Sequence, residues 1–297
     1  MTEVAQTVSK TVLGKALMGI FFAAIFIIAL AGLLSIIKAD PGEPEKIGFT
    51  DLAGRTVAVK GDVRRLIALG PGALRLVGYL GAEGMLVGIE NMEFEMARDA
   101  YVRPYSMVLT DAIMRLPIVG PGGPGALPDP ERIILSQPDV IVAVAIDPSN
   151  LNSLQARTGV PTVYLSYGQL GAWREDAMRS LLLLGEILGK TTRAEELAQY
   201  IRSVENDLKR RTENIPEADR PSVYVGGVSL KGTQGITSTE AGYLPAQLAG
   251  ARNVADTLES EGHFFIDREQ LLAWNAEVMF IDTASRPIVD ADFAKDP

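Results

Sequence analysis

Apolar and polar residues follow one another in short blocks along this chain, and the blocks predict a succession of strands and helices. The segment IGFTDLAGRTVAV (47–59) has alternating apolar residues on both sides of a polar turn, which predicts a β-hairpin. In RRLIALGPGALRLVGYLGAEGMLVGIE (64–90), two apolar runs enclose a Gly-Pro-Gly turn and a stretch with apolar residues on one helical face. This segment therefore predicts a strand, a helix and a second strand.

The same alternation continues through 128–146 and 153–167, where short helical patterns separate runs rich in β-branched residues. This spacing is typical of a parallel α/β sheet. A helical period then extends over TTRAEELAQYIRSVENDLKRR (191–211), where Thr192 and Glu195 form a capping-box pattern. The segment predicts a helix of about 30 Å, long enough to lie along two small lobes.

A second α/β lobe is predicted after this helix. There PSVYVGGVSL (221–230) predicts a strand, KGTQGITSTEAGY (231–243) a loop and LPAQLAGA (244–251) a helix. The expected fold class is α/β, with two lobes of parallel sheets joined by a single long helix and an N-terminal transmembrane helix in front. The expected boundaries are 1–38 for a cytoplasmic tip and anchor, 39–190 for the first lobe, 191–215 for the interlobe helix and 216–297 for the second lobe.

The membrane helix is predicted from twenty-two uncharged residues at 16–37, enough to cross a hydrocarbon core of about 30 Å. Lys10 and Lys15 precede this segment and acidic residues from Asp40 onward follow it, so the positive-inside rule places the globular part outside the cell membrane. The alternatives are a signal peptide cleaved after Ala39, whose apolar core would be unusually long, and a buried core helix.

The net charge and the absence of cysteine limit which partners and which kinds of membrane tether this protein can have. The formal net charge is -9 and no dense run of Lys and Arg is present, which argues against nucleic acid. The chain has no Cys, which excludes disulfides, thiolate metal sites and a lipidated Cys tether. Any tether must therefore be the N-terminal helix itself.

Enzyme chemistry finds little support in the sequence. His263 is the only histidine, so His-rich metal sites and most Ser-His-Asp schemes lack residues, and we interpret it as a surface or packing residue. The GPGGPG segment at 120–125 matches neither of the common nucleotide-binding glycine motifs. Trp173 and Trp274 are interpreted as packing groups. We predict no catalytic residue and no cofactor.

One helix-strand pattern occurs twice. DPERIILSQPDVIV, from Asp129, has the same order of acidic, apolar and strand residues as DREQLLAWNAEVMF, from Asp267. Each reads as a capped helix that leads into a buried strand. The two occurrences, one in each predicted lobe, suggest equivalent roles.

The chain resembles the helical-backbone class of periplasmic binding proteins that serve ABC importers of ferric siderophores, haem, cobalamin and some oxyanions. The resemblance lies in the 64–90 block, the connecting helix, both copies of the helix-strand pattern, and the stretches TDLAGRTVAV, GVPTVYLSY and TSTEAGYLPAQLAGARNVAD. The resemblance covers most of 47–282. It implies two α/β lobes joined by one rigid helix, a ligand in the cleft between them, and limited closure on binding. Two features depart from the family: a membrane anchor replaces a cleavable or lipoprotein signal, and the second lobe is expected to lack its last elements because the sequence stops at Pro297.

Ligand residues are expected beyond the carboxyl ends of the strands, where open α/β sheets bind ligands. Glycines there allow backbone N–H groups to approach an anion, although each glycine has the alternative role of making a turn. Tyr167 and Tyr243 are candidates to ligate ferric iron or stack on a chelator, and Arg286 to pair with a carboxylate or oxyanion. The full expected set is Gly70, Pro71, Gly72, Gly122, Gly123, Asp147, Tyr167, Gly227, Ser229, Tyr243 and Arg286. The metal-binding residues stay unassigned.

The expected function is the substrate-binding subunit of an ABC importer, which captures a chelated metal and delivers it to permease and ATPase subunits. The resemblance implies that Glu131 and Glu269, one in each lobe, contact arginines of the permease; the alternative is a helix-terminal Glu that only stabilises its helix by about 0.3–1 kcal/mol. Other readings are a molybdate-type oxyanion binder, a membrane-anchored chelatase or hydrolase on a similar architecture, and an adhesive ectodomain.

Overall fold

A computed structural model describes residues 45–98, 104–123, 125–167, 173–230, 232–258 and 262–295. The predicted membrane helix at 16–37 lies outside these residues. Within the described ranges, no helix combines the length and hydrophobicity that a membrane span requires.

The predicted hairpin is confirmed. Strands β1 (Lys46–Thr50) and β2 (Thr56–Lys60) pair antiparallel. The turn between them is organised by the buried carboxylate of Asp51, which binds the Arg55 side chain at 2.7 Å and accepts the backbone N–H of Tyr164 at 2.9 Å. This carboxylate therefore attaches the hairpin to a strand of the main sheet.

A five-stranded parallel sheet forms the first half of the globular part, as predicted, with the order β5-β4-β3-β6-β7. Its strands are β3 (Leu66–Leu69), β4 (Leu86–Glu90), β5 (Ile118–Gly120), β6 (Val140–Val144) and β7 (Thr162–Leu165). Its helices are α1 (Ala73–Tyr79), α2 (Asn91–Arg98), α3 (Pro104–Ile113), α4 (Pro130–Ser136), α5 (Pro148–Thr158) and α6 (Trp173–Ile187), with a short 3₁₀ turn at Glu83–Met85.

Helices cover both faces of this sheet, so its strands are apolar on both sides. All four residues of β3 are buried. Leu66 and Ala68 belong to one apolar core, whereas Ile67 and Leu69 belong to the core on the opposite face. A continuous apolar run is the pattern that a central parallel strand requires.

The long helix α7 runs from Thr191 to Thr212 and comprises 22 residues. The predicted capping box at its start is wrong, because the N-cap is Lys190 and its side chain makes no capping hydrogen bond. The N–H of Lys190 donates instead to the carbonyl of Gly185 in a turn that closes α6. This tight connection places Thr192 already inside the helix.

The second half contains a three-stranded parallel sheet, β10-β8-β12, and a separate antiparallel pair, β11-β9. The strands are β8 (Ser222–Gly226), β9 (Ser238–Ala241), β10 (Arg252–Asn253), β11 (Gly262–Phe265) and β12 (Val278–Ile281). The helices are α8 (Leu244–Leu248), α9 (Arg268–Trp274) and α10 (Arg286–Lys295), with 3₁₀ turns at Glu217–Asp219, Val254–Thr257 and Thr283–Ser285.

The antiparallel pair corrects the sequence analysis, which assigned 231–243 to a loop. Residues 238–241 are buried and form β9. The sequence Ser-Thr-Glu-Ala carries only one β-branched residue, so strand propensity alone gives a weak signal, and pairing with 262–265 determines the structure.

The repeated helix-strand pattern forms two equivalent structures. The side chain of Asp129 caps α4, and the side chain of Asp267 caps α9. Both helices end on a residue with left-handed backbone, Gln137 (φ 47°) and Asn275 (φ 44°). The same local conformations thus occur at matching places in the two copies.

The match extends to the acid that precedes each strand. Asp139 accepts the backbone N–H groups of Arg64 and Arg65, at 2.8 and 3.0 Å, where the neighbouring strand β3 begins. Glu277 accepts the backbone N–H of Ser222 at 2.6 Å, where the neighbouring strand β8 begins. In each sheet, a carboxylate therefore ties together the amino ends of two parallel strands.

Residues 46–297 form one compact unit. The division into lobes at 39–190, 191–215 and 216–297 consequently remains a prediction, although the long helix lies within the range expected for the connector.

Candidate functional site

The five-stranded sheet has a topological switch point between β3 and β6. From β3 the chain proceeds through β4 to β5 on one side, and it then returns to place β6 and β7 on the other side of β3. Loops that follow two such adjacent strands leave in opposite directions and open a crevice at their carboxyl ends. The Gly70-Pro71-Gly72 turn and Asp147 follow these two strands, so the predicted residues lie at this crevice.

The glycine turn after β3 is held by a buried acid. The backbone N–H of Gly70 donates to Oε2 of Glu90 at 2.8 Å. Gly70 has a φ of 79°, and a Cβ atom at this position would lie 2.0 Å from the carbonyl oxygen of Val144. Only glycine therefore fits where the ends of β3 and β6 approach each other.

Glu90 connects this turn with the second glycine loop, in which Gly122 has a φ of 74°. A Cβ atom at Gly122 would lie 2.8 Å from Cβ of Glu90, so the backbone of the second loop packs directly on the acid. Glu93, one helical turn further on, is also buried and accepts the hydroxyl of Tyr105 at 2.9 Å. Both glycine loops thus pack on the buried Glu90, whose charge interacts with that of Glu93.

Burial raises the pKa of Glu90 to about 7. The hydrogen bond from Gly70 opposes this shift, and the charge of Glu93 adds to it. Because Glu90 is only 2% exposed, its ionised form is poorly solvated, and the neutral acid is favoured over a wide pH range.

Replacing Glu90 with Gln should flatten the dependence of folding stability on pH. A pKa raised in the folded state means that stability is greatest at low pH and is lost as the pH rises through about 7. Gln keeps an acceptor for the N–H of Gly70 and cannot ionise. As the pH rises from 5 to 8, the free energy of unfolding should therefore fall by roughly 1–3 kcal/mol more in the wild type than in the variant. Urea unfolding at several pH values measures this difference.

Glu186→Gln is the matched control, because Glu186 is an exposed glutamate on α6. As an exposed substitution, Glu186→Gln should change the folding stability by less than about 0.5 kcal/mol. A Glu90→Gln curve with the wild-type slope would show that this acid does not titrate as its burial requires.

Around Gly72, a tyrosine and an arginine form a fixed group. The hydroxyl of Tyr167 donates to the carbonyl of Gly72 at 2.9 Å and accepts from Nε of Arg75 at 3.2 Å. The Arg75 guanidinium carbon also lies 4.8 Å from the centre of the Tyr167 ring. Burial raises the pKa of Tyr167, which keeps the phenol protonated as this donor role requires.

This geometry bears on the predicted role of Tyr167. Its hydroxyl and one ring face are already engaged by the protein, so ligation of a metal would require these contacts to break. Gly72 has a φ of 89°, and a Cβ atom there would lie 2.7 Å from Cε2 of Tyr167. The tyrosine and the glycine turn therefore fit together as one surface, on which Arg75 lies.

Asp147 and Gly123 have local structural roles at the same end of the sheet. The carboxylate of Asp147 accepts the N–H of Ser149 at 2.8 Å and caps α5, and these hydrogen bonds lower its pKa. Gly123 has a φ of 93°, and a Cβ atom there would lie 3.5 Å from the sulfur of Met92.

The predicted residues of the second half lie at the carboxyl ends of β8 and β12. Ser229 donates to the carboxylate of Asp282 at 2.7 Å. Gly227, with a φ of 69°, lies against Ser285, since a Cβ atom there would be 3.0 Å from Cβ of that serine. These contacts join the two strand ends, as the equivalent positions do in the first sheet.

Tyr243 is half-buried at the start of α8, and burial raises its pKa, with further increases from the charges of Glu240 and Asp282. Arg286, in contrast, begins α10 with a side chain that is 73% exposed and lies 3.6 Å from Asp290. The arginine predicted as an anion partner is therefore largely in solvent.

The structure thus gathers the predicted residues into two groups, one on each sheet. Sequence reasoning missed Glu90 and Arg75. An acid at the end of the apolar run LVGIE was the available signal for Glu90, whereas the position of Arg75 depends on a tyrosine 92 positions away.

Glu131 and Glu269 both lie in the first turns of their helices and are exposed. Each is followed three residues later by an exposed aliphatic side chain, Ile134 (47%) and Leu272 (78%). The packing roles expected of two other residues agree with the geometry. Trp274 lies 5.9 Å from the ring of Tyr224, and His263 contacts Ser238 and the edge of Phe265.

A sequence profile described as periplasmic binding protein matches residues 66–297. The chain therefore belongs to the periplasmic binding protein family, in the class of solute-binding subunits of ABC importers. Proteins of this family bind small ligands outside the cytoplasm, work with a permease and an ATPase, and are not enzymes. A comparison with curated proteins found no match.

Solved structures of this class share the fold. MolA of Haemophilus influenzae, bound to molybdate, superposes with a TM-score of 0.63 at 18% identity, covering 84% of this chain and 82% of MolA. The TroA-like protein FepB of Veillonella parvula gives 0.61 at 21% identity, covering 79% and 69%. The haem-binding protein HmuT gives 0.55 at 19% identity, covering 84% and 76%.

Proposed function

We propose that this protein captures a chelated metal, of the ferric siderophore, haem or cobalamin type, between its two sheets and delivers it to an ABC permease. The observation that carries the proposal is the crevice at the switch point of the first sheet. Two glycine turns pack there on Glu90, whose Oε2 accepts the N–H of Gly70 at 2.8 Å. Open α/β sheets bind their ligands in such crevices. In this proposal the ligand contacts the strand ends of both sheets.

The second candidate ligand is a small oxyanion. It is favoured by the likeness in fold to MolA, whose structure contains molybdate. Gly72, with a φ of 89°, allows the backbone of this turn to approach an oxyanion closely.

In this proposal the N-terminal segment 16–37 anchors the protein in the cell membrane, with the globular part on the extracytoplasmic side. The length and charge asymmetry of the segment support it. The full-length chain should stay with the membrane after alkaline carbonate extraction, and a mature protein that begins near Asp40 would contradict the anchor.

The ligand is tested with the full chain in detergent, titrated by calorimetry with a ferric catecholate, a ferric hydroxamate, haem, cyanocobalamin and molybdate. We expect one-to-one binding of one of the first four compounds. The long helix α7 should limit closure, so small-angle scattering should change little on binding. Binding of molybdate alone would support the second candidate, and binding of none of the five would contradict both.

The docking role of Glu131 and Glu269 belongs to the same proposal. Their exposure at matching places in the two copies of the helix-strand unit supports it. A partner that carries two equivalent basic surfaces, as a two-subunit permease does, would engage both helices at once.

A further inference from the structure

We propose that Arg75 recognises an anionic oxygen group of the ligand, so that the natural ligand is a metal complex with exposed carboxylate, phenolate or similar oxygens. This inference rests on the proposed function and narrows it. It favours chelates in which the oxygens that hold the metal carry the negative charge over cyanocobalamin, which is neutral overall and has its anionic oxygens only in its phosphodiester.

The first argument is the donor geometry of Arg75. Its Nε donates to the hydroxyl of Tyr167 at 3.2 Å. The two terminal nitrogens have no hydrogen-bond or ion-pair partner in the described part of the chain. An arginine presents five N–H donors in a planar fork, so the outer donors stay available for a bidentate contact with a carboxylate or a similar group.

The second argument is preorganisation. The guanidinium lies over the Tyr167 ring at 4.8 Å, and Tyr167 is itself held by the carbonyl of Gly72 at 2.9 Å. A stacked and hydrogen-bonded arginine loses less side-chain entropy when it binds an anion. These contacts fix the direction of the charge without neutralising it.

The third argument is position. Arg75 is half-buried in the first turn of α1, directly after the glycine turn that follows β3. Tyr167 follows β7, so the pair connects two strand ends of the same sheet. Arg286, the arginine suggested by the sequence, is 73% exposed beside Asp290. A half-buried arginine interacts more strongly with an anion than an exposed one.

The test compares the full-length wild type with Arg75→Gln, using ferric citrate, a ferric catecholate, molybdate and cyanocobalamin as probes. We expect the affinity for the bound anionic iron complex to fall by at least about tenfold in Arg75→Gln. Arg75→Lys should bind with intermediate affinity, because it keeps the charge and lacks the fork. The wild-type affinity should weaken as salt is raised, and Arg75→Gln should lose most of that dependence.

Arg157→Gln is the matched control. Arg157 is exposed near the end of α5, and its replacement with Gln changes the net charge by the same amount as Arg75→Gln. The affinity of the Arg157→Gln variant for the anionic iron complex should stay within about twofold of the wild-type affinity. Tyr167→Phe keeps the ring and removes the hydroxyl. Tyr167→Phe should lower the affinity for the anionic iron complex less than Arg75→Gln does. It serves as the second variant if Arg75→Gln does not fold.

Each outcome decides the matter. Equal affinity of the wild type and Arg75→Gln for an anionic iron complex would overturn the assignment. Binding of cyanocobalamin and of no anionic probe would overturn it while the importer function stands. Binding of molybdate alone, lost in Arg75→Gln, would support anion recognition by Arg75 and assign the anion to a free oxyanion. Binding of no probe would overturn both proposals.

Discussion

Replacing Glu131 and Glu269 together with Gln is expected to reduce uptake at least about tenfold in vesicles that contain the cognate permease and ATPase. The two carboxylates are exposed in the first turns of matching helices. In the proposed docking, loss of both removes charge-assisted contacts to the permease at two places. Ligand affinity and unfolding temperature should stay nearly unchanged, because the caps of both helices come from Asp129 and Asp267.

The double variant Glu195→Gln and Glu217→Gln is the control. Both residues are exposed and lie outside the repeated unit, and the change in net charge is the same. This control should transport as the wild type does. If the Glu131 and Glu269 variant supported normal uptake at low protein concentration and ordinary salt, these residues would only stabilise their helices, by about 0.3–1 kcal/mol each.

The Gly70→Ala variant is expected to lose at least about 3 kcal/mol of folding stability and its ligand binding. A methyl group at this position would lie 2.0 Å from the carbonyl oxygen of Val144, and the backbone has a φ of 79°. The clash is with backbone, so relief requires the ends of β3 and β6 to move apart. That movement also displaces the N–H of Gly70 from Glu90.

Gly54→Ala separates the clash from the strain of a left-handed backbone. Gly54 has a φ of 76°, close to that of Gly70, and no atom lies within 4 Å of a Cβ there. Its cost should be about 1–2 kcal/mol, from the backbone conformation alone. Urea unfolding measures the stability of both variants. Equal losses of stability in Gly70→Ala and Gly54→Ala would show that the ends of β3 and β6 can move apart at no cost in free energy.

The order of strands and helices in the first sheet could be predicted because each strand is a short apolar run between turn residues. Leu66 to Leu69 is the plainest example, since all four side chains are buried. The second half was harder to predict. Its β9 strand, 238–241, depends on pairing with a partner more than 20 residues away, and local composition there resembles a loop.

Some features of the candidate site could likewise be predicted from the sequence and others could not. Glycines at strand ends are visible in the sequence, because positive φ and close backbone approach favour them. The contacts of Arg75 with Tyr167, and the burial of Glu90 under two glycine loops, arise from the arrangement of strands that are distant in sequence. No spacing rule connects such residues before the sheet order is known.

The carboxylates of Asp139 and Glu277 have a consequence for how this fold can change over time. Each fastens two strands at their amino ends, opposite the strand ends that carry the candidate site. These contacts align the strands without using the loops at the opposite ends, so a change in the length or chemistry of those loops leaves the contacts in place. MolA, bound to molybdate, and the haem-binding protein HmuT share the fold of this chain with fewer than one residue in five in common with it.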